Sequence, residues 1–224
     1  VAPLLNKKQG LRKESLVHQL VFMGNGSLFI VSLVAGAVGA VLALQAAYQL
    51  KQFGALIYTG GLVALSMTRE LGPVVTAIVI AGRVGASITA EIGTMKVQEE
   101  VDALTTMGIP SVPYLIVPRV VSISVMLPVL TILADALGMG GGFLIGTLGL
   151  GIPSALYIQE SFDALVPKDI LTGIAKSFLF AVLIGFIATY KGLSVKGGAD
   201  GVGRATTESV VLSIIAIILG DCLA

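Results

Sequence analysis

Residues 19–50 read QLVFMGNGSLFIVSLVAGAVGAVLALQAAYQL, a run without Asp, Glu, Lys or Arg. A bilayer core is crossed by about 20 consecutive apolar residues in helical form. The stretch therefore holds one complete span plus its flanks, and the first transmembrane helix is expected at 27–49. Composition supports the same reading. Of 224 residues, 55% are hydrophobic and only 12% charged, and the mean hydropathy is +0.97. These values lie outside those of soluble domains, and the fold class they imply is an all-α integral membrane protein.

A second apolar run at 62–90 is interrupted by Arg69, Glu70 and Arg83. Residues 91–113 carry Glu91, Lys96, Glu99, Glu100 and Asp102 and must form a polar connection, because such charges are costly in hydrocarbon. The segment 116–151, apolar but for Arg119 and Asp135, exceeds the length of one span. It reads either as one long, kinked helix or as a helix followed by a re-entrant segment. A polar stretch at 159–169, a span at 171–190, a Gly-rich loop at 191–204 and a last span at 208–224 complete five spans in a single domain, 1–224.

Residues 1–18 combine Lys7, Lys8, Arg12 and Lys13 with Leu4, Leu5, Leu11 and Leu16. That pattern fits a basic interfacial helix, its region reaching residue 26, with a disordered tail as the alternative. Positive charge sets orientation. An N-terminus in the cytoplasm, or the stroma of a plastid, places Lys7, Lys8, Arg12, Lys13, Lys96, Arg119, Lys191, Lys196 and Arg204 inside and leaves Lys51 and Lys168 outside.

Several functions are excluded. A net charge of +1 gives no electrostatic footprint for nucleic acid. One cysteine, Cys222, and one histidine, His18, leave no metal site of the usual Cys or His kind. No cleavable signal peptide is expected. No phosphate-binding G-x-x-x-x-G-K-[ST] loop occurs, and the run from Gly197 to Arg204 lacks its lysine, so ATP is not expected to bind this chain. Without a G-x-S-x-G elbow or an H-E-x-x-H helix, the protein reads as no enzyme.

Small residues recur every fourth position at Ala35, Gly39, Ala43 and Ala47, at Gly82, Ala86 and Ala90, at Gly85, Thr89 and Gly93, and at Gly138, Gly142 and Gly146. Such rows let helix backbones approach closely, and Gly82, Gly85 and Ala86 are expected in helix packing. The Arg69–Glu70 pair differs. Either charge at mid-membrane costs about 2.5–3.5 kcal/mol on insertion scales. Neighbours on a helix lie about 100° apart, so the two need separate partners or a wet cavity. Gly72-Pro73 follows and favours a kink. Asp135 reads as a protonated or capping carboxyl, and Arg83 and Glu91 as interface anchors. In 94–107, Val97, Val101 and Leu104 fall on one side and Glu99, Glu100 and Asp102 on the other. A short amphipathic helix is expected, capped by Thr94 and ended by Gly108 and Pro110, and its acidic face suits a protein partner better than lipid.

The runs Arg69-Glu70-Leu71-Gly72-Pro73, Ala81-Gly82-Arg83-Val84-Gly85-Ala86, Thr89-Ala90-Glu91-Ile92-Gly93-Thr94-Met95 and Glu99-Glu100-Val101-Asp102-Ala103-Leu104, with Pro118-Arg119 and the segment 198–207, resemble the MlaE/YrbE family of permeases. That family includes bacterial phospholipid-transport permeases and a chloroplast trigalactosyldiacylglycerol permease. The resemblance implies a homodimeric ABC transporter permease in a bacterial inner membrane or chloroplast inner envelope. It further implies a separate ATPase that binds ATP and magnesium, and an MCE-domain lipid carrier outside. It makes 94–107 a cytoplasmic coupling helix, with Lys96, Val97, Glu99, Glu100, Val101 and Leu104 toward the ATPase. Arg69 and Glu70 become candidates for binding the lipid substrate, a phospholipid or glycolipid. The competing reading is a proton-coupled secondary transporter using Glu70 or Asp135.

Overall fold

A computed structural model of the chain describes residues 13–223, and every regular element among them is helical. We number seven helices: α1 (Lys13–Gln52), α2 (Leu56–Val97), α3 (Glu100–Thr106), α4 (Val112–Gly149), α5 (Ser154–Ala164), α6 (Pro167–Leu193) and α7 (Gly198–Leu223). Five of these, α1, α2, α4, α6 and α7, are long and apolar enough to cross a membrane.

The spans run longer than the hydropathy pattern suggests. Residues 13–26, expected with the interfacial segment, continue without a break into the first span within α1, whereas residues 1–12 lie outside the described residues. The segment expected at 62–90 extends over Leu56–Val97, and 116–151 becomes the unbroken helix Val112–Gly149. Helical hydrogen bonding satisfies the backbone whatever side chains it carries. It therefore propagates through charged turns that a hydropathy window treats as ends.

Prolines explain how α2 and α4 stay continuous. Met67–Leu71 forms a π-helical turn in which the Gly72 amide donates to the Met67 carbonyl, five residues back, directly before Pro73. Val112–Ile116 repeats the arrangement, with the Val117 amide bonded to the Val112 carbonyl directly before Pro118. A proline ring crowds the preceding turn and removes a donor. The wider turn gives the ring room, and the helix runs on through Gly72-Pro73.

The single helix expected over 94–107 is divided. Residues 94–97 are the end of α2, Glu99 takes a left-handed backbone with φ 60°, and a separate α3 begins at Glu100. Thr94 does not cap it, since its hydroxyl donates within α2 to the Ala90 carbonyl at 2.8 Å. Lys96 bridges the corner by pairing with both Asp102 carboxylate oxygens at 2.9 and 3.1 Å. Gly108 has φ 73°, and the Ile109 amide reaches back to the Leu104 carbonyl at 2.9 Å. That is the glycine-terminated end expected for α3.

Among the described residues the contacts form two compact units, one of residues 13–26, 80–126 and 179–220 and the other of residues 27–79, 127–178 and 221–223. In the first, Ile88, Ile92, Ile123, Phe180 and Ile184 are buried together with a polar knot. The Thr89 hydroxyl there lies 2.8 Å from Ser209 Oγ, 3.1 Å from the Ala188 carbonyl and 3.0 Å from the Gly85 carbonyl. In the second, Val63, Met67 and Ala43 form the buried centre. Gly36 and Gly39 of α1 meet Gly141 and Gly138 of α4 backbone to backbone, and an added Cβ at Gly39 or Gly141 would collide with main-chain atoms. Elsewhere on α4 the glycine row has another use. Gly138 makes room for the Met67 side chain, and Gly142 and Gly146 seat the Tyr157 ring, which also meets Phe143 edge-on at 5.7 Å.

Candidate functional site

The charges inside the second unit converge on the π-helical turn of α2. Helix α6 crosses that turn at Gly173, whose missing side chain lets it lie against the Thr68 carbonyl. Asp169, Gly173 and Lys176 occupy positions i, i+4 and i+7 and share a helix face. The approach at Gly173 thus delivers one charge on each side of the contact. Asp169 Oδ1 lies 3.6 Å from Arg69 Nε. Lys176 Nζ donates to Glu70 Oε2 at 2.7 Å, and also to Asp221 Oδ1 of α7 at 3.0 Å.

The two α2 residues are therefore held by different partners, as adjacent positions on a helix require. Their exposure differs from that of the lysine beneath them. Arg69 and Glu70 side chains are 53% and 52% accessible, whereas Lys176 is 6% accessible. Lys176 acts as a buried anchor satisfied by two carboxylates, and the Arg69 guanidinium and Glu70 carboxylate keep donor and acceptor capacity for a further polar group. Placing both on a π-helical turn fits the tendency of such turns to occur at functional sites.

Asp135 of α4 lies in the same unit, buried against the Gly72 backbone just after that turn, and its Oδ1 has no hydrogen-bond partner. Thr76, one turn further along α2, is also buried with an unpartnered hydroxyl.

The remaining sequence candidates belong to the first unit. Val101 of α3 is buried and Leu104 half-buried, while Val97, Glu99 and Glu100 are exposed and Lys96 is tied to Asp102. Gly85 packs toward Ile184, Ala86 is half-buried, and an added Cβ at Gly82 meets nothing within 4 Å. Arg83 lies beside Gly26. Glu91 accepts a hydrogen bond from Arg119 Nη2 at 3.1 Å, and Arg119 Nη1 donates to the Leu115 carbonyl.

Asp169, Lys176 and Asp221 are the residues that sequence reading passed over. Lys176 did carry a signal, being the only charged side chain from 171 to 190, and an ionisable group within an apolar span is a functional candidate by default. The two aspartates sit near span ends, where charge is ordinary.

The family model described as Permease MlaE matches residues 16–224. Among curated relatives, a probable ABC transporter permease protein of Rickettsia bellii (strain RML369-C) is 43% identical over 208 residues, covering 93% of this chain and 80% of the relative. A probable ABC transporter permease protein of Synechocystis sp. is 39% identical over 211 residues, with 94% and 80% covered. The probable ABC transporter permease protein ycf63 of Pyropia yezoensis is 38% identical over 207 residues, with 92% and 79% covered.

Proposed function

This chain belongs to the MlaE permease family, and from that premise we propose that it moves phospholipids or glycolipids between membranes as the permease of an ABC transporter. The observation that carries the lipid reading is the pair of half-exposed charges, Arg69 and Glu70, held on a π-helical turn by Asp169 and Lys176 within membrane-spanning helices. A charge kept open at that depth has a use for a polar partner, and a phosphate-bearing headgroup matches the Arg69 guanidinium. Two copies of the chain enclose the lipid path, with the N-terminus on the cytoplasmic or stromal side of a bacterial inner membrane or chloroplast inner envelope. A separate ATPase supplies the energy and acts on α3 and its corner, where Lys96, Glu99 and Glu100 are presented. An MCE-domain protein carries lipid on the other side.

The test is lipid transfer in proteoliposomes containing the permease, its ATPase and its MCE partner. Transfer is expected to require ATP and to fall in both Arg69→Ala and Glu100→Lys while the complex stays assembled. Transfer that continues without the ATPase and follows a proton gradient would sink this reading. It would favour the proton-coupled alternative, for which the buried, unpartnered Asp135 is the supporting observation.

A further inference from the structure

The π-helical turn of α2 is open at two groups of opposite character. Arg69 meets Asp169 only through Nε, at 3.6 Å, and its two terminal nitrogens have no hydrogen-bond partner among the described residues. On Glu70, Oε2 accepts from Lys176 and Oε1 is left without a donor among those residues. Both side chains are half-exposed. A guanidinium fork and a carboxylate oxygen thus open from successive residues of one helix. The first offers paired donors to an anion, and the second accepts from a donor.

Net charge is a second, independent constraint. The ion pairs join Arg69 and Lys176 to Glu70, Asp169 and Asp221. Two cations against three carboxylates leave one surplus negative charge. Lys168 precedes Asp169 in sequence, but it is exposed and pairs with none of the three carboxylates. A headgroup that brings only a phosphate charge, as phosphatidylglycerol does, adds a second negative within membrane-spanning helices, where uncompensated charge is costly. One that carries an ammonium beside its phosphate adds no net charge. A primary ammonium also has N–H donors for Glu70 Oε1, and such charge-assisted bonds are about twice as strong as neutral ones. A quaternary ammonium has none and is recognised by aromatic faces, which the ion-paired residues do not supply. A sugar headgroup brings hydroxyls for Glu70 and no anion for Arg69.

Resting on the lipid reading of this site, we propose that it selects a zwitterionic headgroup with a primary ammonium, an ethanolamine phosphodiester, its phosphate on Arg69 and its ammonium on Glu70. The source is the lipid and not the soluble phosphodiester, because the turn lies inside a membrane-spanning helix.

The full chain, purified in detergent, is exchanged against an equimolar mixture of phosphatidylethanolamine, phosphatidylcholine and phosphatidylglycerol with identical acyl chains, and retained lipid is quantified by mass spectrometry. Phosphatidylethanolamine is expected to exceed each of the others on the order of tenfold, the ratio that one charge-assisted hydrogen bond supports. Glu70→Gln should abolish both preferences, since it removes the acceptor and the surplus charge together. Asp169→Asn cancels the surplus charge and leaves Glu70 in place, so phosphatidylglycerol should gain while the preference over phosphatidylcholine stays. Arg69→Ala should lower retention of all three. Equal retention of the three lipids by the wild type, or preferences that Glu70→Gln leaves intact, overturns the headgroup assignment. Soluble glycerophosphoethanolamine should displace little bound lipid, and displacement as effective as that by phosphatidylethanolamine overturns the lipid as the source. ATP-driven transfer that depends on Arg69 but ignores the headgroup refutes this assignment alone. Headgroup selection without ATP-driven transfer refutes the transport reading alone.

Discussion

Lys176 and Asp135 are both ionisable, both inside membrane spans of the same unit and both nearly inaccessible, at 6% and 8%. Their surroundings differ completely. The lysine holds two carboxylates at 2.7 and 3.0 Å, while the Asp135 Oδ1 has no hydrogen-bond partner. Both cases cluster around the same turn of α2, one through Glu70 and the other through Gly72. The contrast teaches that a buried charge is maintained by its partners, whereas a buried carboxyl without them persists only where nothing depends on its charge.

Breaking the lysine's side of the comparison should cost most. The double variant Glu70→Gln with Asp221→Asn leaves Lys176 with no anionic partner. A loss of about 3–5 kcal/mol is expected in unfolding experiments on the purified protein. Each single variant retains one carboxylate and should lose far less, so the two effects will not add. Additive small losses would mean that Lys176 has another partner.

Next in size is Gly72→Ala, whose new Cβ would meet the Asp135 carboxyl. A destabilisation of about 1–3 kcal/mol is expected from overpacking. Asp135→Ala in the same chain should recover only part of it, because the new Cβ also meets the Met67 carbonyl oxygen at 2.8 Å, and a double-mutant cycle without coupling would show that the two residues are not in contact.

Arg69→Ala sharpens the comparison from another direction. The Arg69–Asp169 pair is long and its arginine half-exposed, so stability should change by about 1 kcal/mol or less. Lipid transfer should nevertheless collapse. A variant that transfers lipid at the wild-type rate would remove Arg69 from the site.

The smallest expected change belongs to Asp135→Asn, which keeps shape and breaks no observed hydrogen bond. Thermal unfolding should move by the equivalent of about 0.5 kcal/mol or less. A large loss would expose an ionic role for Asp135 and disturb the contrast drawn with Lys176.

Arg69 and Glu70 were legible from sequence because charges in an apolar run stand out against the cost of burying them. Their partners were not. Lys176 is 106 positions from Glu70, and nothing in the local pattern says that α6 crosses α2 at Gly173. The α4 glycine row was equally half-legible. Spacing announced close packing, but it could not distinguish the backbone contacts of Gly138 and Gly141 from the seat that Gly142 and Gly146 make for Tyr157. At 94–107 the amphipathic pattern was visible, whereas the corner at Glu99 was not, because one left-handed residue leaves no mark on hydrophobic period.

By itself the sequence determined that this is a five-span helical membrane protein with unusual charges in its second span. Those properties follow from summed transfer free energies along the chain, which depend on composition and order alone. Only the tertiary structure decided that Lys176 anchors Glu70 and Asp221, that Asp169 meets Arg69, and that Asp135 stands without a hydrogen bond. Each of these depends on which helix faces meet and at what separation. Side-chain fit between distant segments sets that separation, and local sequence does not encode it.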